Sequence, residues 1–523
     1  MNQTASLRNL RSGNLSELEI EHLNRFGIYT RLYFNDQSYT NLDEFRLSGR
    51  LARVLEDFGV SRGDRVLVMM PNSPELTAAF PAIWMTGAAI LPVIPQWTAS
   101  EVATILADSE ASLVLTAPSH AERVAQAMKE ARISRRLLVF GECGVPDALN
   151  IAPVVESAPA LDTPVNRSSS DLAVLLYTSG TTGKPKGVVL THGNLFAAIA
   201  GPLLQNPDLE PGPMLHSLPL THVYGVLVQH LANAWGWSTV LMPQFDPERV
   251  FQAIERHRVR YLPLVPTMAV YLLRHPARER FDTSSLFRIT SGGAPLPEPL
   301  RKDVERAFRC IVDQGYGLSE SAAIATGYKV GEPYRPGSAG QPVPGVELCI
   351  MSDTAEVLPP GETGEICVAG PNVTAGYWRN PAASQEMIRG RWLHTGDIGY
   401  LDQDGYLYIT DRKKDLIIKG GENISPREIE EALYLHPAVA EAAVIGIPDP
   451  VFGEQICAAV QLAADAQATP EEIRAHLARY VTKFKLPSEV LFLPALPKNN
   501  SGKILKREIK ARVQALNAAA NRN

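Results

Sequence analysis

A chain of 523 residues is too long for a single hydrophobic core, so two or more domains are expected, and a hydrophobic content of 45% supports well-packed ones. A net charge of -6 argues against nucleic acid or an anionic membrane as the main partner, so any basic patch must be local. The five cysteines, Cys143, Cys310, Cys349, Cys367 and Cys457, form no Cys-x-x-Cys pair and stand near no histidine cluster at metal spacing, which predicts buried thiols in a reducing compartment. Arg8 and Arg11 precede no apolar segment of the kind a secretory signal carries, so the cytoplasm is the expected location.

Residues 31–34 read as a strand and 38–40 as a lead into a helix over 41–58, whose apolar spacing runs through Leu42, Phe45, Leu47, Leu51, Val54 and Leu55 until Gly59 stops it. Residues 64–70 form a short apolar strand, and helix and strand alternate onward through strands at 88–93 and 111–116. Residues 76–98 are uncharged and long enough to span a bilayer, but Pro81, Pro92, Pro95 and Gly87 interrupt them. A buried helix followed by a buried strand is the better reading, and no integral membrane segment is expected. The alternation predicts parallel sheet wound with helices. Pro- and Ser-rich residues 153–170 read as a surface connection.

That connection leads into residues 177–187, a run of Gly, hydroxyl and Lys residues between the apolar stretches 173–176 and 188–190. Gly180, Gly183 and Gly187 let the backbone approach a polyphosphate, Thr178, Ser179, Thr181 and Thr182 add hydroxyl donors, and Lys184 and Lys186 add charge. A strand, such a loop and a second strand suit a phosphate cradle; a solvated turn is the competing reading. The common P-loop is excluded, because Thr178 stands where its first Gly belongs and Pro185 follows the Lys.

Alternation then resumes, with strands at 214–218, 239–242, 261–265, 286–290 and 311–314 and helices at 223–235 and 247–257. Ligands in open α/β sheets collect at the carboxyl ends of strands, so the motifs that follow these strands are where chemistry is sought. From Gly345 short strands at 346–351, 364–368 and 406–410 alternate with Pro/Gly turns, as in a small antiparallel barrel. After Asp411, Ser425 as N-cap and Pro426 at the first helical position open a new helix. Strands at 440–447 and 456–462, a helix at 471–480 and a last helix from Leu505 complete a separate α+β domain.

Several motifs occur in order: Ser291-Gly292-Gly293-Ala294-Pro295, Gly315-Tyr316-Gly317-Leu318-Ser319-Glu320, His394-Thr395-Gly396-Asp397, Asp411-Arg412-Lys413-Lys414-Asp415, Gly420-Gly421-Glu422-Asn423-Ile424 and Ser501-Gly502-Lys503. With the 177–187 loop they resemble the adenylate-forming superfamily of acyl-CoA synthetases, adenylation domains and luciferases. The resemblance implies an α/β protein: an N-terminal domain over 1–411 of wound sheets plus a small β-barrel, a hinge at 412–415, and a mobile α+β C-terminal domain over 416–523. It also implies a two-step reaction, in which a carboxylate attacks the α-phosphate of Mg-ATP to give an acyl-adenylate and the thiol of coenzyme A then displaces AMP.

By that resemblance, the loop from Thr178 to Lys186 holds ATP phosphates, Tyr316 offers a face to adenine, and Gly292, Gly293 and Ala294, with Gly315 and Gly317, leave room for the purine. Asp397 and Arg412 take the ribose, and Glu320 is the Mg²⁺ ligand, a hard oxygen for a hard cation. Ser319 stands where Thr is frequent and, like Thr178, brings a hydroxyl to the α-phosphate. Lys503 bridges the carboxylate and the α-phosphate, offsetting the repulsion between two anions. Its bland alternative is a solvated lysine in a basic tail with Lys498, Lys506, Arg507 and Lys510. Lys414 marks the hinge, and Gly420 and Gly421 line the thiol tunnel once the C-terminal domain has rotated.

The resemblance also implies that His222 gates or orients the acyl end, a structural histidine being the competing reading, and Val223, Val226, Leu227 and Leu231 form an apolar wall that favours an uncharged, fatty tail. Thr221 departs from the aromatic residue frequent in fatty-acyl ligases and leaves an aromatic acid open. No Asp lies in 223–231 to anchor an ammonium and no carrier domain follows Asn523, so amino acids are disfavoured and coenzyme A is preferred to a carrier protein. A homodimer is compatible with all of this.

Overall fold

The computed structural model describes residues 15–178, 185–498 and 504–520. Its core is two seven-stranded sheets wound with helices. The first runs in the order Leu149–Asn150, Arg136–Val139, Leu113–Thr116, Arg65–Met69, Ala89–Pro92, Leu172–Thr178 and Lys186–Thr191, parallel throughout except for the last pair. The second runs Ile311–Gln314, Arg288–Ser291, Tyr261–Leu264, Met214–His216, Thr239–Leu241, Thr30–Phe34 and Gln37–Thr40, again parallel except for the last pair. The first two described strands thus join the second sheet, not the first, with Thr30–Phe34 inside it and Gln37–Thr40 at its edge.

Local chemistry explains the element ends. Thr40 caps the helix Asn41–Asp57 by accepting from the Asp43 N–H, while the Asp43 carboxylate accepts from the Thr40 N–H, a reciprocal capping box. The helix Pro74–Met85 carries Pro81 inside it and is buried along nearly its whole length, with the Trp84 indole N–H donating to the Ala173 carbonyl at 2.9 Å. It is followed by the buried strand Ala89–Pro92, and no described helix is long and apolar enough to cross a membrane.

The expected surface connection at 153–170 is only partly that. It contains the helix Ala152–Ser157, whose Val155 is buried in the main core, and Leu161 donates its N–H to the Gly49 carbonyl at 2.9 Å. Exposed serines, among them Ser157 and Ser168, keep the strap polar outward, while single apolar side chains fasten it to the helix Asn41–Asp57.

Five antiparallel strands, Glu347–Met351, Gly364–Ala369, Ile388–Arg389, Trp392–Leu401 and Leu407–Arg412, curl into a half-barrel beside the second sheet. Beyond Arg412 the chain enters an α+β unit of five strands with its own core around Ile417, Ile429, Leu433, Val444 and Ile456. Ser425 caps its first helix, Pro426–Tyr434, as the sequence predicts, and its hydroxyl also donates to Asp411 Oδ2 at 2.7 Å. One side chain therefore serves the helix start and the strand the unit hangs from.

Candidate active site

Three strands of the second sheet, two adjacent and the third across Tyr261–Leu264 from them, hand the chain to motif loops. Arg288–Ser291 leads into Gly292, Gly293 and Ala294, Ile311–Gln314 into Gly315, Tyr316 and Gly317, and Met214–His216 into the loop that ends at His222. A side chain at Gly317 would put its Cβ 2.1 Å from the Ala323 carbonyl oxygen, so only glycine fits this turn. At Gly292 a Cβ would meet the Tyr224 ring at 2.9 Å, which gives this glycine a packing partner in addition to the room expected for a purine.

Tyr316 is 8% exposed, and its hydroxyl donates to Asp397 Oδ2 at 2.7 Å. Burial and the neighbouring carboxylate both hold its phenol well above the ordinary tyrosine value. Asp397 and Arg412 are opposite partners in the half-barrel, and Arg412 Nε lies 2.8 Å from Asp397 Oδ1. Burial would lower the Arg412 pKa, but Asp397, Tyr316 and Asp415 together outweigh it and the net shift is upward. The residues expected at adenine and ribose are therefore one connected group. Each Asp397 oxygen has one protein partner and a second lone pair left to accept a hydroxyl.

The loop expected to hold phosphate connects two antiparallel strands, Leu172–Thr178 and Lys186–Thr191. Their last described pair is Thr178 opposite Lys186, whereas Ser179, Gly180, Thr181, Thr182, Gly183 and Lys184 lie outside the described residues. Lys186 Nζ stands 5.1 Å from the ring centroid of Tyr377, and the Tyr377 hydroxyl donates to Glu320 Oε1 at 2.7 Å. Burial, then the Glu320 charge, raises the Tyr377 pKa. Thr374 donates its N–H to the Glu320 carbonyl at 2.8 Å, and Trp378 donates to the Gly187 carbonyl at 2.7 Å. Residues 374–378 thus stitch the hairpin to the short turn Ser319–Ser321 that carries Ser319 and Glu320.

Tyr377 escaped the sequence reading. The available signal was an aromatic pair, Tyr377 and Trp378, directly after Gly376 in an otherwise polar connection. Among the described residues no three His, Cys, Asp or Glu side chains converge on a metal position. A single carboxylate such as Glu320 fits Mg²⁺, which takes one or two protein carboxylates and completes its shell with substrate phosphates and water.

His222 caps the helix Val223–Trp235, its Nδ1 accepting from the Tyr224 N–H at 3.3 Å. The Tyr224 hydroxyl donates to the Thr290 carbonyl at 3.1 Å, tying the helix start to the strand that carries Gly292. Val223, Val226, Leu227 and Leu231 are all buried and pack with Leu195, Ile199 and Ala322 in the main core. The same helix also buries Gln229, His230 and Asn233, and Asn233 Oδ1 accepts from Arg31 Nε at 2.9 Å. The expected apolar wall is one face of a helix buried nearly all round: Val228 and Ala232 pack in a second apolar cluster with Trp237 and Tyr261, and Gln229, His230 and Asn233 make a buried polar edge.

Lys414 is exposed, yet the surrounding protein partly desolvates its ammonium and Arg412 repels it, so its pKa is lowered. Gly420 and Gly421 make a turn with φ +59 and +85, beside Phe452 and Phe484. Ser501, Gly502 and Lys503 lie outside the described residues.

Two wound sheets, a half-barrel and an appended α+β unit, with an aromatic and acidic group at one crevice and a lysine hairpin beside it, define an adenylate-forming enzyme. The AMP-binding enzyme family matches residues 21–378 and its C-terminal domain matches 428–503. The chain belongs to the AMP-binding enzyme family, in the acyl-CoA synthetase branch of the adenylate-forming superfamily. It is 34% identical over 514 residues to a long-chain-fatty-acid–CoA ligase of Bacillus subtilis (strain 168), covering 93% of this chain and 92% of the relative. It is 38% identical over 472 residues to a feruloyl-CoA synthase of an Amycolatopsis species, covering 89% and 92%. Among solved structures, ATP-bound MatB from Rhodopseudomonas palustris superposes with a TM-score of 0.87 at 28% identity, over 96% of this chain and 99% of that one.

Proposed function

We propose that this protein is an ATP-dependent carboxylate–CoA ligase that adenylates a carboxylic acid with an apolar, uncharged tail, passes the acyl group to coenzyme A, and releases pyrophosphate and AMP. The observation that carries the reading is the connected group Tyr316–Asp397–Arg412 at the carboxyl edge of the second sheet. It presents a flat aromatic face and a doubly accepting carboxylate where a nucleoside would lie.

In the first half-reaction Asp397 and Arg412 hold the ribose, and Lys186, with the Ser179 to Lys184 loop, draws the β- and γ-phosphates to the hairpin. Glu320, oriented by Tyr377, holds Mg²⁺, which when bound neutralises phosphate charge. Lys503 brings the substrate carboxylate against the α-phosphate; the carboxylate oxygen bonds to phosphorus as the bond to pyrophosphate breaks. Thr178 and Ser319 donate hydroxyl hydrogen bonds to the α-phosphate as its charge develops. Most of the acceleration is positioning and charge stabilisation. After rotation about Lys414, the coenzyme A thiol gives up its proton and attacks the acyl carbon past Gly420 and Gly421, and the acyl carbon–oxygen bond breaks to release AMP.

Val223, Val226, Leu227 and His222 line the acyl end, and a fatty acid is the first reading of the acid. An aromatic acid is the second, favoured by the Tyr224 ring against Gly292. ATP/pyrophosphate exchange over a series of fatty acids and substituted benzoates separates them, since each methylene is worth about 0.8 kcal/mol in an apolar pocket. Coenzyme A-dependent AMP release tests the acceptor; release only with a carrier protein would sink the coenzyme A assignment. All five cysteines are free thiols, which fits work in the reducing cytoplasm.

A further inference from the structure

The C-terminal unit meets the large domain at the helix Glu298–Phe308, at the half-barrel strand Leu407–Arg412, and at the helix Pro266–Arg274, which starts just beyond the carboxyl end of the strand Tyr261–Leu264. Lys498 Nζ sits 5.7 Å from the Tyr271 ring centroid. The same ammonium is held by Glu441 Oε1 at 2.6 Å, and Glu441 is 6% exposed, so a fixed carboxylate aims an otherwise flexible lysine at the ring. One helical turn further, Arg274 Nη2 donates to the Val439 carbonyl at 3.2 Å. Lys498 also forms a β-bridge with Ile504, so both ends of the segment that contains Lys503 are pinned together beside this helix. Tyr271 lies five residues into the helix, about 8 Å along its axis from the crevice end.

A second observation concerns the other face of the unit. The Gly420–Gly421 turn stands with Ile418, Val451 and Phe452, which are 55%, 80% and 40% exposed. The face that carries Lys498 is docked, and the face that carries the glycine turn is open to solvent.

We infer that Tyr271 and Arg274 form a latch that holds the C-terminal unit in the acid-activating placement and must release before thioester formation. The inference rests on the proposed two-step function. A cation over an exposed ring and one hydrogen bond to a neutral carbonyl are both weak contacts, so the latch biases an equilibrium without locking it. That is what a unit that must swing once per turnover requires. The residues are specific to the job: Tyr271 is a large apolar side chain left 53% exposed, with Lys498 of the other unit against it.

The test uses the full chain with Tyr271→Ala and Arg274→Ala combined. ATP/pyrophosphate exchange should fall about three- to tenfold, the scale of two weak contacts, while thioester formation from supplied acyl-adenylate and coenzyme A is unchanged or faster. Tyr271→Phe keeps the ring and should restore exchange. Hydrogen exchange adds a readout independent of turnover: amides of 266–274 and 436–441 should lose protection in the double variant while the rest of both domains keeps it. Equal losses in both half-reactions, or unaltered protection at those two segments, would overturn the latch. Absence of any acid-dependent exchange in the unmodified enzyme would instead sink the proposed function and leave the protection result to judge the contact.

Discussion

The Tyr316 hydroxyl and the Asp397 carboxylate meet at 2.7 Å although 81 residues separate them, and Arg412 completes the group from the opposite strand. Two parts of the fold, a sheet edge and a half-barrel, are joined through the side chains assigned to the nucleoside. Asp397→Asn keeps the shape but weakens both partners: the amide can no longer pair with Arg412 as a charge, and one of its ends can no longer accept. The expected outcome is a rise in the KM for ATP of ten- to a hundredfold, about 1.4 to 2.8 kcal/mol of lost binding, with a smaller change in kcat. Tyr316→Phe keeps the stacking face and should raise KM less. Steady-state kinetics with ATP varied at saturating acid checks both, and an unchanged KM in Asp397→Asn would remove Asp397 from the ribose.

Tyr377 and Glu320 give the second prediction. Tyr377→Phe leaves the ring beside Lys186 but takes the hydroxyl from Glu320 Oε1. The Mg²⁺ concentration for half-maximal exchange should rise several-fold, while saturating Mg²⁺ restores most of the rate. Glu320→Gln should not be rescued in this way, because the anionic oxygen itself is gone. A Mg²⁺ titration of ATP binding by calorimetry checks the pair; identical titrations for Tyr377→Phe and the parent enzyme would show that the hydroxyl does not position Glu320.

How much of this was legible in the sequence varied with the range of the signal. The helices Val223–Trp235 and Pro247–His257 match their readings to the residue, because each combines apolar periodicity with a strong stop or start: Gly236 at the end of one, Pro247 after the cap Asp246 in the other. The paired strands flanking residues 179–185 were equally plain, being short apolar runs around a Gly-rich loop. Partner choice was not legible. Nothing near Thr30–Phe34 says that it pairs with Thr239–Leu241, since sheet order is settled by contacts between segments two hundred residues apart. Tyr377 was invisible for the same reason, its meaning lying in Glu320, 57 residues away. The buried polar edge of the helix Val223–Trp235 was readable but overlooked, because Gln229, His230 and Asn233 interrupt an apolar run whose average still looks uniform.

The roles proposed for Lys503 and Lys414 fall in different half-reactions. Lys503→Ala is expected to slow adenylation by about two to three powers of ten, the scale of losing one preorganised charge, while thioester formation from supplied acyl-adenylate survives. Lys414→Pro should do the reverse, because proline freezes one backbone dihedral where rotation is required. Single-turnover assays of each half-reaction decide both; equal losses in Lys503→Ala would refute its assignment to the first step, and normal overall turnover in Lys414→Pro would refute the hinge.

The last prediction concerns pH and arises from the buried polar edge of the helix Val223–Trp235. Burial pushes His22, His192, His216 and His230 down to about 4, so all four are neutral in the folded protein at pH 7. In the unfolded chain each regains an ordinary value near 6.5. The sign follows from linkage: between those two values the unfolded state binds more protons, so stability rises with pH and falls on acidification from about 6.5 towards 4. Each such histidine contributes about 1.4 kcal/mol per pH unit in the middle of that window. Glu19 acts lower down. Burial would raise its pKa, but Arg31 outweighs that and brings it to about 2, so its stabilising share is full above the ordinary carboxylate value and is lost as pH falls towards 2. Urea midpoints should therefore drop steeply between pH 6.5 and 4, before the carboxylates titrate. His216→Gln should flatten part of that slope, because glutamine cannot take a proton. A slope identical to the parent enzyme's would mean that His216 is already charged in the folded protein.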